Sequence, residues 1–180
     1  MSRLTVPARE AVPTASTPLL DAVEKQLGVV PNLFRLVATS PAALEGLLSL
    51  SGALAKTLDI ATRERIAIAT AEVNGCDYCL SAHTYLGLNV AKLDAAEVAL
   101  NRKGRSHDAK ADAVVAFAAK VARQRGKVGD TDIAAVKLAG FSEAQVIEIV
   151  ASVALNMLTN FINNVAETEI DFPVVRAEAA

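Results

Sequence analysis

The stretch Glu64 to His83 reads E-R-I-A-I-A-T-A-E-V-N-G-C-D-Y-C-L-S-A-H and holds both cysteines of the chain and one of its two histidines. Cys76 and Cys79 form a Cys-x-x-Cys pair, and His83 follows Cys79 by four residues. At about 100° per residue, these three positions fall within roughly 60° of one another on a helix. One helical stripe therefore carries two thiols and the nearest base.

The helix expected upstream, from Asp59 to Val73, places Ile60, Glu64, Ala67, Ile68 and Ala71 on one stripe and Thr62, Arg65 and Glu72 opposite. The first stripe is apolar except for Glu64, so Glu64 is expected to point inward and Glu72 toward water. An inward carboxylate is costly unless something pairs with it. Flanking Arg63 is one candidate partner, and counting residues supplies another. If the chain reverses at Asn74-Gly75, the two helices form an antiparallel hairpin. Glu64 then lies about ten residues before the turn and His83 about eight after it, so their levels differ by only about 3 Å. Glu64, His83 and Cys79 would form a line.

The chemistry of such a line follows from the thiols. With a pKa near 8.5, only about 3% of a free cysteine is thiolate at pH 7. A neighbouring histidine and a helix N-terminus both favour the thiolate. A thiolate that attacks a peroxide becomes a sulfenic acid, and a second cysteine then condenses with it to a disulfide. The residues suit a thiol peroxidase or disulfide oxidoreductase.

Composition sets the frame. A chain of 180 residues suggests one domain with a proper core. It is 52% hydrophobic but only 4% aromatic, which suits closely packed helices. The net charge of −2 provides no global field for nucleic acid. Eight basic residues between Arg102 and Lys127 read as a solvated helix face. The first residues, MSRLTVPAREAVPTAS, contain no apolar core of a signal peptide. The longest apolar run, Val146 to Ile162, is interrupted by Glu148, Asn156 and Asn160. A membrane span needs about twenty mostly apolar residues, so no membrane segment is expected and the chain reads as cytoplasmic. In a reducing compartment, two close cysteines point to catalysis or metal binding rather than a structural staple.

Along the chain, residues 1–16 read as a flexible N-terminal arm and 17–180 as a single helical domain. Thr17-Pro18 and Ser40-Pro41 each combine a cap with a proline at the first helical position. Helices are expected from Thr17 to about Gln26, over Leu33 to Thr39, and from Pro41 to about Leu58. Asp59 caps the next, Gly87 stops the cysteine-bearing one, and Asn89 is expected to cap a helix reaching about Arg102. Further helices are expected over 108–125 and 130–139, and Ser142 with Gln145 forms a capping box before a last helix to about Glu167. No segment alternates with period two, so the fold is expected to be all-α.

The pattern R-E-x(11)-C-x-Y-C-x(3)-H, carried by Arg63, Glu64, Cys76, Tyr78, Cys79 and His83, resembles the alkyl hydroperoxidase D/carboxymuconolactone decarboxylase family. Asn74, Gly87, the upstream run Gly28 to Phe34, Ser40-Pro41 and Asp171-Phe172-Pro173 extend the resemblance over about 28–173, closest to the peroxidase-related branch. The resemblance implies a compact multi-helix fold assembling into homo-oligomers, commonly trimers or hexamers. It also implies that Cys79 attacks a hydroperoxide, Cys76 resolves, and Glu64 and His83 relay the proton. An external dithiol, a lipoyl or thioredoxin-like protein, would then reduce the disulfide, with no cofactor and no metal. One departure is visible: the best-known hydroperoxidases carry a histidine before the second cysteine, where this chain has Tyr78.

Other readings compete. Cys76, Cys79 and His83 could ligate zinc, with Glu64 or His107 as a fourth ligand, but no second ligand pair is present. A c-type haem attachment fails because Leu80 follows Cys79. Acid–base chemistry of the carboxymuconolactone decarboxylase type needs no cysteine pair. A redox-sensing module would use the thiols to switch an interface. His107 reads as an exposed, structurally neutral residue.

Overall fold

The computed structural model describes residues 2–178. Among them the regular structure is entirely helical, in nine α-helices preceded by two 3-10 turns, Arg9–Ala11 and Thr14–Ser16. The helices are α1 (Thr17–Leu27), α2 (Asn32–Val37), α3 (Pro41–Leu54), α4 (Ile60–Val73), α5 (Asp77–Asn89), α6 (Ala95–Arg102), α7 (Ala109–Gln124), α8 (Asp130–Leu138) and α9 (Glu143–Ala166).

Short polar side chains start most of them. Ser40, Asp59, Asp94 and Asp108 each accept a hydrogen bond from the backbone N–H three residues on. Ser142 and Gln145 form the reciprocal box expected before α9. The expected cap at Asn89 is corrected: α5 runs through Asn89, and Asp94 caps α6 instead. Gly87 likewise sits inside α5 rather than ending it. A Cβ there would stand 3.4 Å from Ile68 Cδ1, at ordinary contact distance, so this face of α5 packs on α4 without requiring glycine.

Helix α4 is the axle of the molecule, packed against α5, α6, α7 and α9. Its small residues Ala67, Ala69 and Ala71 are buried around the helix, which allows neighbours on every side. The solvent face expected for α4 is therefore corrected. Arg65 pairs with buried Glu97 of α6 at 2.7 Å, and Glu72 with Arg102 of α6, also at 2.7 Å. Conversely, Ile60 of the expected inner stripe lies at the exposed end of the helix. The polar stripe meets a partner helix through ion pairs, a relationship that periodicity alone does not distinguish from solvation. Glu97 also accepts from Ser106 Oγ, His107 N and Asn101 Nδ2; despite its burial, these bonds and Arg65 hold its carboxyl down at about 2.

The segments flanking the domain lie against it. Arg9 bonds Asp21 and Glu24, and the Ser16 hydroxyl donates to Ala38 O at 2.7 Å. After α9, residues 168–178 run back along α5: Ser81 Oγ accepts from Val175 N, Asp77 accepts from Arg176 and Ala177 N, and Glu72 accepts from Glu178 N.

Helix α9 is, by length and composition, long and apolar enough to cross a bilayer. Its inner face instead packs on α3, α4, α5 and α7. The same apolar content is what a core helix requires.

Candidate active site

The site lies where the α4–α5 hairpin meets α9. Gly75, at φ +59°, makes the reversal after Asn74 in a left-handed conformation that favours glycine. Cys76 follows as the N-cap of α5, one position before the helix proper, and its sulfur accepts from Cys79 N at 3.3 Å. Cys79 is thus in the first turn, where unpaired N–H groups and the helix dipole favour negative charge. Both cysteines are buried, Cys79 to 2% exposure.

The hairpin is antiparallel and brings the counted pair together. His83 Nδ1 and Glu64 Oε2 are 2.8 Å apart, with Glu64 buried and His83 partly open. Glu64 takes this bond and not one to Arg63, whose Nε donates to Leu58 O.

Electrostatics separates the two thiols. Burial opposes ionisation of Cys79, but the Cys76 hydrogen bond, the charge on His83 and the amides of Asn163 and Asn160 outweigh it and bring the thiol down to about 6. Cys76 is pushed far up by its hydrogen bond to Cys79 and by burial, so it remains the S–H donor of the pair. Burial works against the imidazolium of His83, yet the Glu64 carboxylate and the Cys79 thiolate raise its pKa. The arrangement is one thiolate, one neutral thiol that donates to it, and an imidazole oriented by a carboxylate.

Two residues of this site do not stand out in the sequence. Asn163 Nδ2 reaches Cys79 Sγ at 3.2 Å, and Asn160 Oδ1 accepts from Asn74 Nδ2 at 2.8 Å. In the sequence Asn160 looks like an interruption of an apolar run. The available signal was the spacing of Asn156, Asn160 and Asn163, which puts three amides on one face of α9.

Tyr78 takes no part in the proton line. Its hydroxyl donates to Asp171 Oδ1 at 2.8 Å and accepts from Leu33 N at 3.0 Å, and its ring packs edge-on against Phe172. Tyr85, half exposed, also meets Phe172. His107 is exposed on the loop before α7, with its backbone N–H on Glu97. Among the described residues, no three His, Cys, Asp or Glu side chains gather in a metal-holding cluster.

A central helical hairpin presenting two thiols, a histidine and a carboxylate defines a helical dithiol protein. Residues 41–124 match the carboxymuconolactone decarboxylase family. A peroxidase-related protein from Ralstonia eutropha JMP134, described as an alkylhydroperoxidase AhpD core, shares 28% identity at a TM-score of 0.83, covering 94% of this chain and 92% of that one. A peroxidase-related protein from Silicibacter sp. TM1040 superposes at a TM-score of 0.80 with 21% identity, covering 93% and 91%. The debrominase Bmp8, as a cysteine-to-alanine variant in complex with 2,3,4-tribromopyrrole, shares the fold at a TM-score of 0.80 with 19% identity, covering 95% and 94%. No match was found among the curated proteins. The match over residues 41–124 and the shared alkyl hydroperoxidase D-like fold support a resemblance to the carboxymuconolactone decarboxylase family.

Proposed function

We propose that this protein is a thiol-dependent peroxidase that reduces hydroperoxides through Cys79 and Cys76. The observation that carries the reading is the 2.8 Å Glu64–His83 pair on the hairpin that holds a thiol brought down to about 6. A thiolate nucleophile, an oriented acid–base group and a second thiol in the same turn are the parts that a two-cysteine peroxidase needs.

In the proposed cycle, the Cys79 thiolate attacks the terminal oxygen of the hydroperoxide. The S–O bond forms, the O–O bond breaks, and imidazolium His83 supplies the proton that turns the leaving alkoxide into an alcohol. Glu64 keeps His83 oriented and favours its protonated form. The sulfur of Cys76 then attacks the Cys79 sulfenic acid, an S–S bond forms, and water leaves with the Cys76 proton. An external dithiol, of the lipoyl or thioredoxin-like kind, takes the disulfide back to two thiols. Reduction by such a dithiol suits a reducing, cytoplasmic setting.

The debrominase neighbour is a reminder that a fold does not choose its substrate. The test is therefore an assay of peroxide consumption with hydrogen peroxide and alkyl hydroperoxides, against a panel of dithiol reductants. Turnover that disappears in Cys79→Ser supports the reading. Absence of turnover with every peroxide and reductant sinks it.

We further infer a homo-oligomer, trimeric or hexameric as the family resemblance implies. Its support is the outer face of α9, where Ile147, Val150, Ala154, Leu158, Phe161 and Val165 are exposed. These residues recur every three or four positions, which makes one apolar stripe along the helix. A second copy of the same stripe is the cover that a self-complementary assembly provides.

A further inference from the structure

Helix α9 carries Asn156, Asn160 and Asn163 on one buried face of an otherwise apolar helix. A primary amide has two N–H donors and an acceptor oxygen, and burying any of them unpaired is unfavourable. Asn156 satisfies its own amide by donating to Ser152 O at 2.8 Å. Asn160 and Asn163 do not. Asn160 spends its oxygen on Asn74, and its Nδ2, in a side chain 0% exposed, makes no hydrogen bond at rest, although it stands close enough to Cys79 to favour the thiolate. Asn163 donates to Cys79 Sγ, and its Oδ1 has no partner either. A leucine at either position would pack in an apolar core without this cost.

One free donor and one free acceptor thus stand within a helical turn of each other, on the helix that closes over Cys79. We propose that Asn160 and Asn163 form an amide cradle for the sulfur of Cys79 and for the oxygen that this sulfur acquires during turnover. Asn163 holds the thiolate through its Nδ2. The oxygen half of the proposal rests on the peroxidase reading above. When the thiolate attacks, the S–O bond forms, the O–O bond breaks, and the alkoxide takes its proton from His83. The resulting sulfenic acid accepts at its oxygen from Asn160 Nδ2 and donates its O–H to Asn163 Oδ1. Both groups left unpaired in the resting site are then satisfied. Cys76 attack breaks the S–O bond, releases water and returns the amides to their resting state.

The cradle is held in register by the hairpin itself. Asn74, at the α4–α5 turn, donates to Asn160 Oδ1, and Asn164 Nδ2 donates to Asn74 O at 3.0 Å. These bonds fix α9 along its length relative to Cys79. Donors positioned before charge develops cost no reorganisation when it does.

The test uses the reduced full chain and two readouts. The first is the pH dependence of iodoacetamide alkylation at Cys79, followed by peptide mass spectrometry. Asn163→Ala and Asn160→Ala should move the midpoint upward and slow alkylation at pH 6 several-fold. Asn163→Asp, which keeps the shape of the side chain, should shift it further in the same direction. Glu143→Ala, at the exposed start of α9 and paired only with Lys137, should leave it in place. Unchanged midpoints in the Asn160 and Asn163 variants, with only a lower melting temperature, would overturn the cradle. The second readout is dimedone capture after hydrogen peroxide in a Cys76→Ser background. Asn160→Ala should shorten the lifetime of the Cys79 sulfenic acid several-fold, and an equal lifetime would overturn the oxygen half. Shifted midpoints without any dimedone adduct, even in the Cys76→Ser parent, would support the thiolate half and refute the peroxidase reading.

Discussion

Glu64 Oε2 lies 2.8 Å from His83 Nδ1, across two antiparallel helices, so a buried carboxylate and the ring nitrogen of the only nearby base form one unit. If that unit relays a proton, Glu64→Gln should slow peroxide-dependent oxidation at pH 7 by roughly 10²-fold, the low end of general acid–base assistance. Raising the pH should not recover the loss, because Cys79 is already ionised above about 6 and what the variant lacks is the imidazolium that protonates the leaving alkoxide. Stopped-flow kinetics across a pH series decides it.

Glu72, on the same helix, provides a contrast of a different kind. It is bonded to Arg102 of α6 and to the N–H of Glu178. Glu72→Gln should therefore reduce stability by on the order of 1–3 kcal/mol and leave the oxidation rate nearly unchanged. Denaturant titration and the same kinetics separate the two glutamates.

Alkylation of the reduced protein should be confined to Cys79, with a midpoint near pH 6, because Cys76 is pushed the other way. Peroxide should then convert the pair to an intramolecular Cys76–Cys79 disulfide with loss of two titratable thiols. Mass spectrometry that finds both thiols free after peroxide treatment contradicts this.

The lowered Cys79 thiol also makes stability depend on pH. An unfolded thiol titrates near 8.5, so the thiolate contribution is complete above about that value and is lost as pH falls through the folded value of about 6. His83 runs the other way. Its raised folded pKa contributes stability below its unfolded value of about 6.5, and this is lost as pH rises through the folded pKa. Cys79→Ser removes the first effect. The gap in melting temperature between the unsubstituted protein and Cys79→Ser should widen from about pH 6 to about pH 8.5, as followed by circular dichroism.

Phe161 stands toward the C-terminal end of the exposed α9 stripe. Phe161→Glu should dissociate the expected oligomer while leaving the Cys79 alkylation midpoint unchanged. Light scattering at micromolar concentration gives the first result, and a monomeric unsubstituted protein refutes the assembly.

The sequence by itself determined the helices, the hairpin and the line from Glu64 through His83 to Cys79, because these depend on local physics. Caps, glycine at a reversal and residue spacing act over one or two turns, and counting along two helices is enough to align Glu64 with His83. Tertiary structure decided what each face meets. The stripe of Arg65 and Glu72 looks solvated, yet α6 covers it with Glu97 and Arg102. Asn163 is 84 residues from Cys79 in the chain, and only the docking of α9 on the hairpin brings its amide to the sulfur. Tyr78 occupies the expected motif position, but Asp171 and Leu33 draw its hydroxyl out of the proton line. Periodicity reports that a face is polar. Whether that polarity is spent on water, on an ion pair or on a thiolate depends on which distant helix packs there.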